Sequence, residues 1–170
     1  MAFTDLPADW PQRAVTDPAI FTDLVDLVVT VRDRSRGCLG IWICGPTGRL
    51  QQPIVIEAPP GGLDVSPNLA GLRQESGEAG DGFTPSDVRL AIDSVATTLT
   101  EHARPGSGLV IVIGRPGRAD TTDADRHTHE IAMEVCRAHG IPLLGAAVAT
   151  PDRVWALPST PDAGEWAESA

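Results

Sequence analysis

A continuous apolar run, Leu-Val-Ile-Val-Ile at residues 109–113, constrains the fold of this chain more than any other feature. No polar residue alternates with the apolar ones, so the run predicts a central strand that is covered on both faces. The run is also far shorter than the roughly 18 to 20 residues that a helix needs to cross a bilayer. The sequence therefore predicts a sheet with layers on both sides and no membrane span.

Helical periodicity predicts three helices, over residues 17–34, 84–103 and about 123–139. The first opens at Asp17, an N-cap residue followed by proline, and the second opens at Thr84 with an aspartate three positions on, a capping-box variant. A glycine after the third helix predicts its C-cap. The buried faces expected for the second and third helices are Val88, Ala91, Ile92, Val95 and Leu99, and then Ala124, Thr128, Ile131, Val135 and Ala138.

Two hairpins complete the pattern. Residues 38–44 and 50–57 flank a Gly-Pro-Thr-Gly turn, and residues 141–149 and 153–157 flank Thr-Pro-Asp. The Gly- and Pro-rich segment 58–82 is expected to be one long irregular loop. The order of helix, hairpin, loop, helix, strand, helix and hairpin predicts an α/β fold with a mixed β-sheet flanked by helices.

The length of 170 residues favours a single domain. We expect a flexible N-terminal arm over 1–16, one α/β domain over 17–157 and a flexible C-terminal tail over 158–170. Trp10 and Trp166 lie in the two ends, where exposed aromatic side chains are typical anchors for a partner, unless they pack back onto the domain.

Charge and cysteine content narrow the classes of partner and the cellular compartment that we expect. The formal net charge of -10, with no clustered basic stripe, argues against nucleic-acid binding, because phosphate neutralisation supplies most of that affinity. Asp5 and Asp9 stand where a signal peptide would be basic, so a cytoplasmic protein without a membrane partner is expected. Cys38, Cys44 and Cys136 are odd in number and lack CxxC spacing, which suits a reducing compartment and predicts small buried side chains.

The loop after the 109–113 strand is the first place to expect chemistry, because ligands of open sheets bind outside the carboxyl ends of strands. Its arginines and the helix that follows could hold an anion through guanidinium groups and backbone amides. The plainer interpretation is a strand-to-helix connection whose acidic residues favour the helix dipole. The candidate ligand- or anion-binding residues in this loop are Arg115, Arg118, Asp120, Thr122, Asp125 and His127.

The histidines of the third predicted helix do not form a convincing metal site. His127 and His129 would point about 200° apart, so they cannot share an ion unaided. His127 is better spaced with Asp123 or with Glu130, but these residues flank the apolar stripe as a solvated face would. We therefore expect no metal and no cofactor.

Three segments together resemble a known family. Residues 109–125 read Leu-Val-Ile-Val-Ile-Gly-Arg-Pro-Gly-Arg-Ala-Asp-Thr-Thr-Asp-Ala-Asp, residues 140–144 read Gly-Ile-Pro-Leu-Leu, and residues 41–50 read Ile-Trp-Ile-Cys-Gly-Pro-Thr-Gly-Arg-Leu. They resemble the RadC-like branch of the JAB/MPN metalloprotease fold, with its apolar strand, Pro/Ser-rich loop, acidic ligand at a helix start and Gly-Ile-x-Leu-Leu strand. The resemblance spans roughly residues 36–157 and implies a JAB/MPN-like fold.

The resemblance also implies a lost activity. The family's two histidine ligands fall at Ile113 and Arg115, and its water-activating glutamate falls near Arg36. Only Asp125, with Thr122 in place of the family's serine, matches a ligand position, and the match requires a loop one residue shorter. Because isoleucine and arginine supply no zinc donors, the resemblance implies a dead hydrolase. A bidentate pair of Arg115 with Asp125 would then stand where the metal sat.

Two functions follow as expectations. The first is a non-catalytic JAB/MPN-like binding or scaffold domain that engages a protein partner or its own copy, without enzyme activity. The alternative is a small-molecule or anion-binding protein, or an enzyme, that uses the Arg/Asp-rich loop 114–127. Arginine stays protonated, so acid–base catalysis there would fall to His127 or a carboxylate. Arg36 is a further candidate ligand- or anion-binding residue, and a shared site would place Arg36, Arg115 and Asp125 in one pocket.

Overall fold

The computed structural model describes residues 6–58 and 83–158, and every structural statement below concerns these two stretches. Except for Ala58, the irregular loop expected at 58–82 lies outside the described residues. The same holds for Trp166 and for the expected tail beyond Pro158.

Four α-helices, one short 3-10 helix and five strands make up the described part of the chain. No helix in this part is long and apolar enough to cross a membrane. In chain order the elements are the 3-10 helix Trp10–Gln12, α1 Phe21–Val28, α2 Val31–Arg36, β1 Cys38–Cys44, β2 Leu50–Glu57, α3 Pro85–His102, β3 Gly108–Gly114, α4 Asp123–Ala138, β4 Leu143–Ala149 and β5 Val154–Leu157.

The strands form one mixed sheet in the order β2-β1-β3-β4-β5, which confirms the prediction of an α/β fold with a mixed sheet. β3 is antiparallel to β1 and parallel to β4, so the apolar run does become the central strand. Leu109 and Ile111 pack beneath α3 and α4, whereas Val110 and Val112 pack on the opposite face with α1. Two apolar layers therefore share this strand, as its continuous apolar sequence requires.

The single helix expected over 17–34 is wrong, because the chain forms α1 and α2 with a break between them. Asp17 does not cap a helix; its carboxylate accepts from the backbone N–H of Ala19 in a turn before α1. Thr30 has an extended backbone and opens α2 through a reciprocal capping box with Asp33. A capping box satisfies the first N–H groups of a helix, so a new helix begins at this point.

The described part of the expected arm packs against the domain. The side chain of Val15 is 1% exposed, and its N–H donates to the carbonyl of Gly48 at 2.8 Å in the β1–β2 turn. Trp10 is half-buried against the apolar layer of α1. The packed part of the chain thus begins before residue 17.

The apolar face of α3 is confirmed, and that of α4 is corrected. In α3 all five expected residues lie in the core or pack against it. In α4 Ile131 and Val135 are buried as expected, but Ala124 and Ala138 are exposed, and Ala132 and Cys136 are buried in their place. The helix is turned so that the carboxylate of Asp125 faces inward.

Candidate functional site

The loop that follows β3 begins at the carboxyl end of the central strand of the sheet. Gly114, the last residue of β3, lies so close to β1 that a Cβ atom there would sit 2.3 Å from the Sγ of Cys38. The N–H of Arg115 donates to the carbonyl of Ala149 at 3.0 Å, which continues the β3–β4 pairing by one residue. The side chain of Arg115 therefore starts from a fixed backbone position.

Arg115 and Asp125 form the bidentate ion pair that the sequence led us to expect. Nε of Arg115 donates to Oδ1 of Asp125 at 2.8 Å, and Nη2 donates to Oδ2 at 2.8 Å. The side chain of Asp125 is 1% exposed and that of Arg115 is 18% exposed. Two parallel hydrogen bonds between opposite charges fix the orientation of the guanidinium plane relative to the carboxylate plane.

The remaining donors of Arg115 bind the loop itself. Nη1 donates to the carbonyls of Pro116 and Arg118, both at 3.2 Å, and Nη2 donates to the carbonyl of Asp120 at 2.5 Å. A guanidinium carries five N–H groups, and each of the five has an acceptor here. Arg115 consequently has no donor left for an anion from solution, and it acts as an internal support of the loop.

Asp125 also starts α4. Its Oδ2 accepts from the N–H of Thr122 at 2.8 Å, while the Thr122 hydroxyl accepts from the N–H of Asp125 at 3.2 Å. Burial acts to raise the pKa of Asp125, but the hydrogen bonds from Arg115 and Thr122 and the charge of Arg115 outweigh it and hold the pKa below its ordinary value of 3.8. The carboxylate is therefore ionised at neutral pH and poorly suited to proton transfer.

The same Thr-x-x-Asp box begins three of the helices. Thr30 with Asp33 opens α2 and Thr84 with Asp87 opens α3, each with both reciprocal hydrogen bonds. Among the described contacts, no arginine binds the carboxylate of either of these two boxes. The ion pair with Arg115 is thus an addition peculiar to the box of α4.

The structure brings together only part of the predicted site. Besides Arg115, Thr122 and Asp125, two candidates contribute backbone carbonyls only, Arg118 and Asp120. Arg36 pairs instead with Glu57 at 3.7 Å, and His127 lies near Glu130 at 3.6 Å. In the described part of the chain no hydrogen bond or ion pair links either of them to the Arg115–Asp125 pair. Arg36 therefore does not bind directly to Arg115 or Asp125.

The zinc ion that the family resemblance implies does not fit this site. Ile113, at one expected ligand position, packs against the apolar core. Arg115, at the other, places a cation directly on the remaining carboxylate. Within residues 6–58 and 83–158, no group of three or more His, Cys, Asp or Glu side chains is arranged to hold a metal ion.

Arg34, a buried arginine, was not predicted from the sequence to have a special role. The side chain of Arg34 is 3% exposed; its Nη2 lies 2.7 Å from Oδ1 of Asp26, and its Nη1 donates to the carbonyl of Thr150 at 3.3 Å. Nη2 also donates to the carbonyl of Val25, so this side chain ties together α1, α2 and the β4–β5 turn. Because the sequence predicts a single helix there, no signal distinguished Arg34 from the arginines beside it.

A cavity of about 400 Å³ between α4 and β5 also went unpredicted. Arg126, His129, Glu130 and Met133 line it from α4, at the i, i+3, i+4, i+7 spacing of one helix face. Thr121, Leu157 and Pro158 close the opposite side. Only the α4 part of this lining is visible as a sequence pattern, since Leu157 and Pro158 lie at the end of β5, far along the chain from α4.

The fold and the loop together define an α/β protein with a mixed sheet and an ion-paired strand-to-helix connection at its centre. The chain matches no protein-family model, no curated protein and no solved structure.

Proposed function

We propose that this chain is a non-catalytic binding or scaffold domain with a JAB/MPN-like frame. The saturated guanidinium of Arg115 carries the proposal, because all five of its N–H groups are bound within the chain. A reaction centre needs a group that is free to exchange a proton or to stabilise charge on a substrate. Neither Arg115, which stays protonated, nor the buried Asp125, whose carboxylate accepts three hydrogen bonds, is free in this way.

The JAB/MPN-like frame is supported by the position of Asp125. This residue lies in the first turn of α4 and faces the end of the central strand, as the family's acidic ligand does by resemblance. Thr122, where the family has serine, caps the same helix. In this proposal Arg115 occupies the metal's place and neutralises the carboxylate that the metal once held.

The proposed partner is another protein or a second copy of this chain. β2, an edge strand of the described sheet, is a poor surface for a second copy, because Pro53 has no N–H to donate and Gln51 and Gln52 present exposed polar side chains. We place the protein in the cytoplasm. All three cysteines, which lie in the described part of the chain, are buried free thiols, a state that a reducing compartment maintains.

The anion-binding alternative in the 114–127 loop has weaker support. With Arg115 saturated, an anion would depend on Arg118, whose guanidinium has no hydrogen bond or ion pair in the described part of the chain. Sulfate or phosphate should therefore raise the melting temperatures of the wild type and of Arg118→Gln by the same amount, through their general stabilising effect on folded proteins. A rise that is smaller in Arg118→Gln would favour this alternative.

Metal content tests the non-catalytic proposal. We expect elemental analysis of the purified full chain to find no stoichiometric zinc, and added zinc to leave the melting temperature unchanged. One zinc per chain that is lost in Asp125→Asn but kept in Asp123→Asn would overturn the proposal. Asp123 is the matched control because it is exposed in the same first turn of α4.

Solution mass tests the choice of partner. Light scattering after size exclusion, at increasing protein concentration, measures whether the mass rises above the 17.9 kDa of one chain. A rise toward twice that mass supports a second copy as the partner. A constant mass excludes self-association and leaves another protein as the proposed partner.

A further inference from the structure

The cavity between α4 and β5 has two opposite charges on one wall. Arg126 and Glu130 stand one helical turn apart and both line it. They are not paired with each other: Arg126 binds Asp123 at 2.5 Å, and Glu130 lies 3.6 Å from His127. The Arg126–Asp123 ion pair and the His127–Glu130 contact both lie on the surface, where such contacts contribute little and exchange readily for another partner.

Besides these two charges, the described residues that line the cavity supply apolar surface, one imidazole ring and one hydroxyl. Met133 continues the α4 wall, and Leu157, 6% exposed, faces it from β5. The Thr121 hydroxyl accepts from Nε1 of Trp155 at 3.0 Å, which leaves its own hydrogen for an acceptor in the cavity. A ligand here would find charge at one end and apolar surface at the other.

His129 adds no third charge to this wall. Burial lowers the pKa of His129, and the nearby carboxylate of Glu130 opposes that effect only in part. The ring is accordingly neutral at pH 7, so the charged side chains among the described residues that line the cavity are one cation, Arg126, and one anion, Glu130.

We propose that this cavity binds a zwitterionic α-amino acid with a large apolar side chain. The carboxylate lies against Arg126 and the Thr121 hydroxyl, the ammonium group against Glu130, and the side chain against Met133 and Leu157. A simple anion would meet the repulsion of Glu130, and a simple cation would meet that of Arg126, whereas a zwitterion satisfies both. The Arg115–Asp125 pair does not line the cavity, so this inference is independent of the proposed non-catalytic role.

Titration calorimetry on the full-length protein tests the proposal, with L-leucine, L-methionine and L-phenylalanine as ligands. The controls are 4-methylpentanoate and 3-methylbutylamine, which are leucine without its ammonium group and without its carboxylate. We expect each control to bind at least about tenfold more weakly than leucine, since each loses one charge-assisted hydrogen-bonding group. Glycine should bind more weakly as well, because it buries no apolar side chain.

Variants locate the site. Arg126→Gln and Glu130→Gln should each weaken leucine binding by about tenfold or more. Arg137→Gln and Glu134→Gln remove the same charges from parts of α4 that do not line the cavity, and they should bind leucine as the wild type does. Circular dichroism of all four variants should match the wild type, because the substituted side chains are exposed.

Three results would overturn the inference: no heat with any of the amino acids, equal affinity for leucine and for either of its single-charge analogues, or unchanged leucine affinity in both Arg126→Gln and Glu130→Gln.

Discussion

At the scale of single residues, Arg115 shows how a charged side chain can be structural. A buried ion pair adds little net stability over apolar residues of the same shape, because both charges must leave water. Removing one partner is different, since the other charge stays buried without compensation. Arg115 therefore contributes to stability because it compensates the charge of Asp125, whose side chain is 1% exposed.

Arg115→Met should lower the free energy of unfolding by about 3 kcal/mol, because it leaves the carboxylate of Asp125 buried without its counter-ion. Urea unfolding followed by circular dichroism measures the change. Arg118→Met is the matched control; its exposed side chain makes no bond in the described part of the chain, so we expect a change within about 0.5 kcal/mol. Equal effects of the two substitutions would contradict a structural role for Arg115.

Acid should remove the contribution of Asp125. Its pKa is lower in the folded chain than the ordinary 3.8, so the folded state favours the ionised form. The resulting stability is fully present above pH 3.8 and is lost as the pH falls through the folded-state value. The difference in unfolding free energy between the wild type and Asp125→Asn should thus be constant from pH 7 to 5 and shrink below about pH 4. Urea unfolding at each pH measures it, and a difference that does not change down to pH 3 would contradict the ion-pair assignment.

At the scale of elements, the break between α1 and α2 combines a local signal, the capping box of Thr30 and Asp33, with a contact to a distant part of the chain. Val31 continues the apolar stripe of the expected single helix, yet it is 58% exposed. Arg34 is buried instead, because its guanidinium reaches the carbonyl of Thr150 in a turn that lies 116 residues further along the chain. Periodicity predicts helical structure here but not its break; the Thr-x-x-Asp box at Thr30 marks the start of α2, and the burial of Arg34 depends on the distant acceptor.

Arg34→Met should destabilise the chain by about 2 kcal/mol, because it removes charged hydrogen bonds to Asp26 and to two carbonyls. Arg32→Met, on the exposed side of the same short helix, should change stability by less than about 0.5 kcal/mol. Thermal or urea unfolding of the two variants distinguishes them. Similar stabilities would mean that Arg34 does not join α1 to α2.

The close approach of β1 and β3 gives a second prediction at this scale. Gly114→Ala should cost about 1 to 3 kcal/mol, because the new Cβ would lie 2.3 Å from the Sγ of Cys38. Removing that sulfur in Gly114→Ala/Cys38→Ala should make the double variant more stable than the sum of the two single changes predicts. A double-mutant cycle in urea measures the coupling, and strict additivity would show that the two positions do not collide.

At the scale of the whole molecule, the sequence predicts most of the sheet and about half of the site. The central strand and both hairpins follow from local apolar runs and turn residues, which need no tertiary information. The Arg115–Asp125 pair was also predicted, because the two residues flank one short loop. Arg36 could not be placed from sequence, since its pairing with Glu57 depends on how β2 lies beside α2. The α4–β5 cavity was not predicted either, because it depends on how α4 packs beside the end of β5.

The two apolar layers should unfold together, because β3 contributes side chains to both. Trp42, fully buried on the α1 side, reports one layer by fluorescence once Trp10, Trp155 and Trp166 are replaced by phenylalanine. Helical circular dichroism reports mainly α3 and α4, the longest helices of the described chain, on the other side. We expect coincident urea transitions from the two probes, as in two-state unfolding. Separate midpoints would show that the layers are independent units.

Comparison of the three Thr-x-x-Asp boxes indicates that the loop after β3 can be redesigned without losing the start of α4. α2 and α3 begin with the same box and without an arginine on its carboxylate, so α4 does not need Arg115 in order to start. If the arginine and the charge of Asp125 are removed together, with asparagine keeping an acceptor for Thr122, the helix start survives. The carbonyls of Pro116, Arg118 and Asp120, now facing Arg115, would then be open to a designed ligand rich in hydrogen-bond donors.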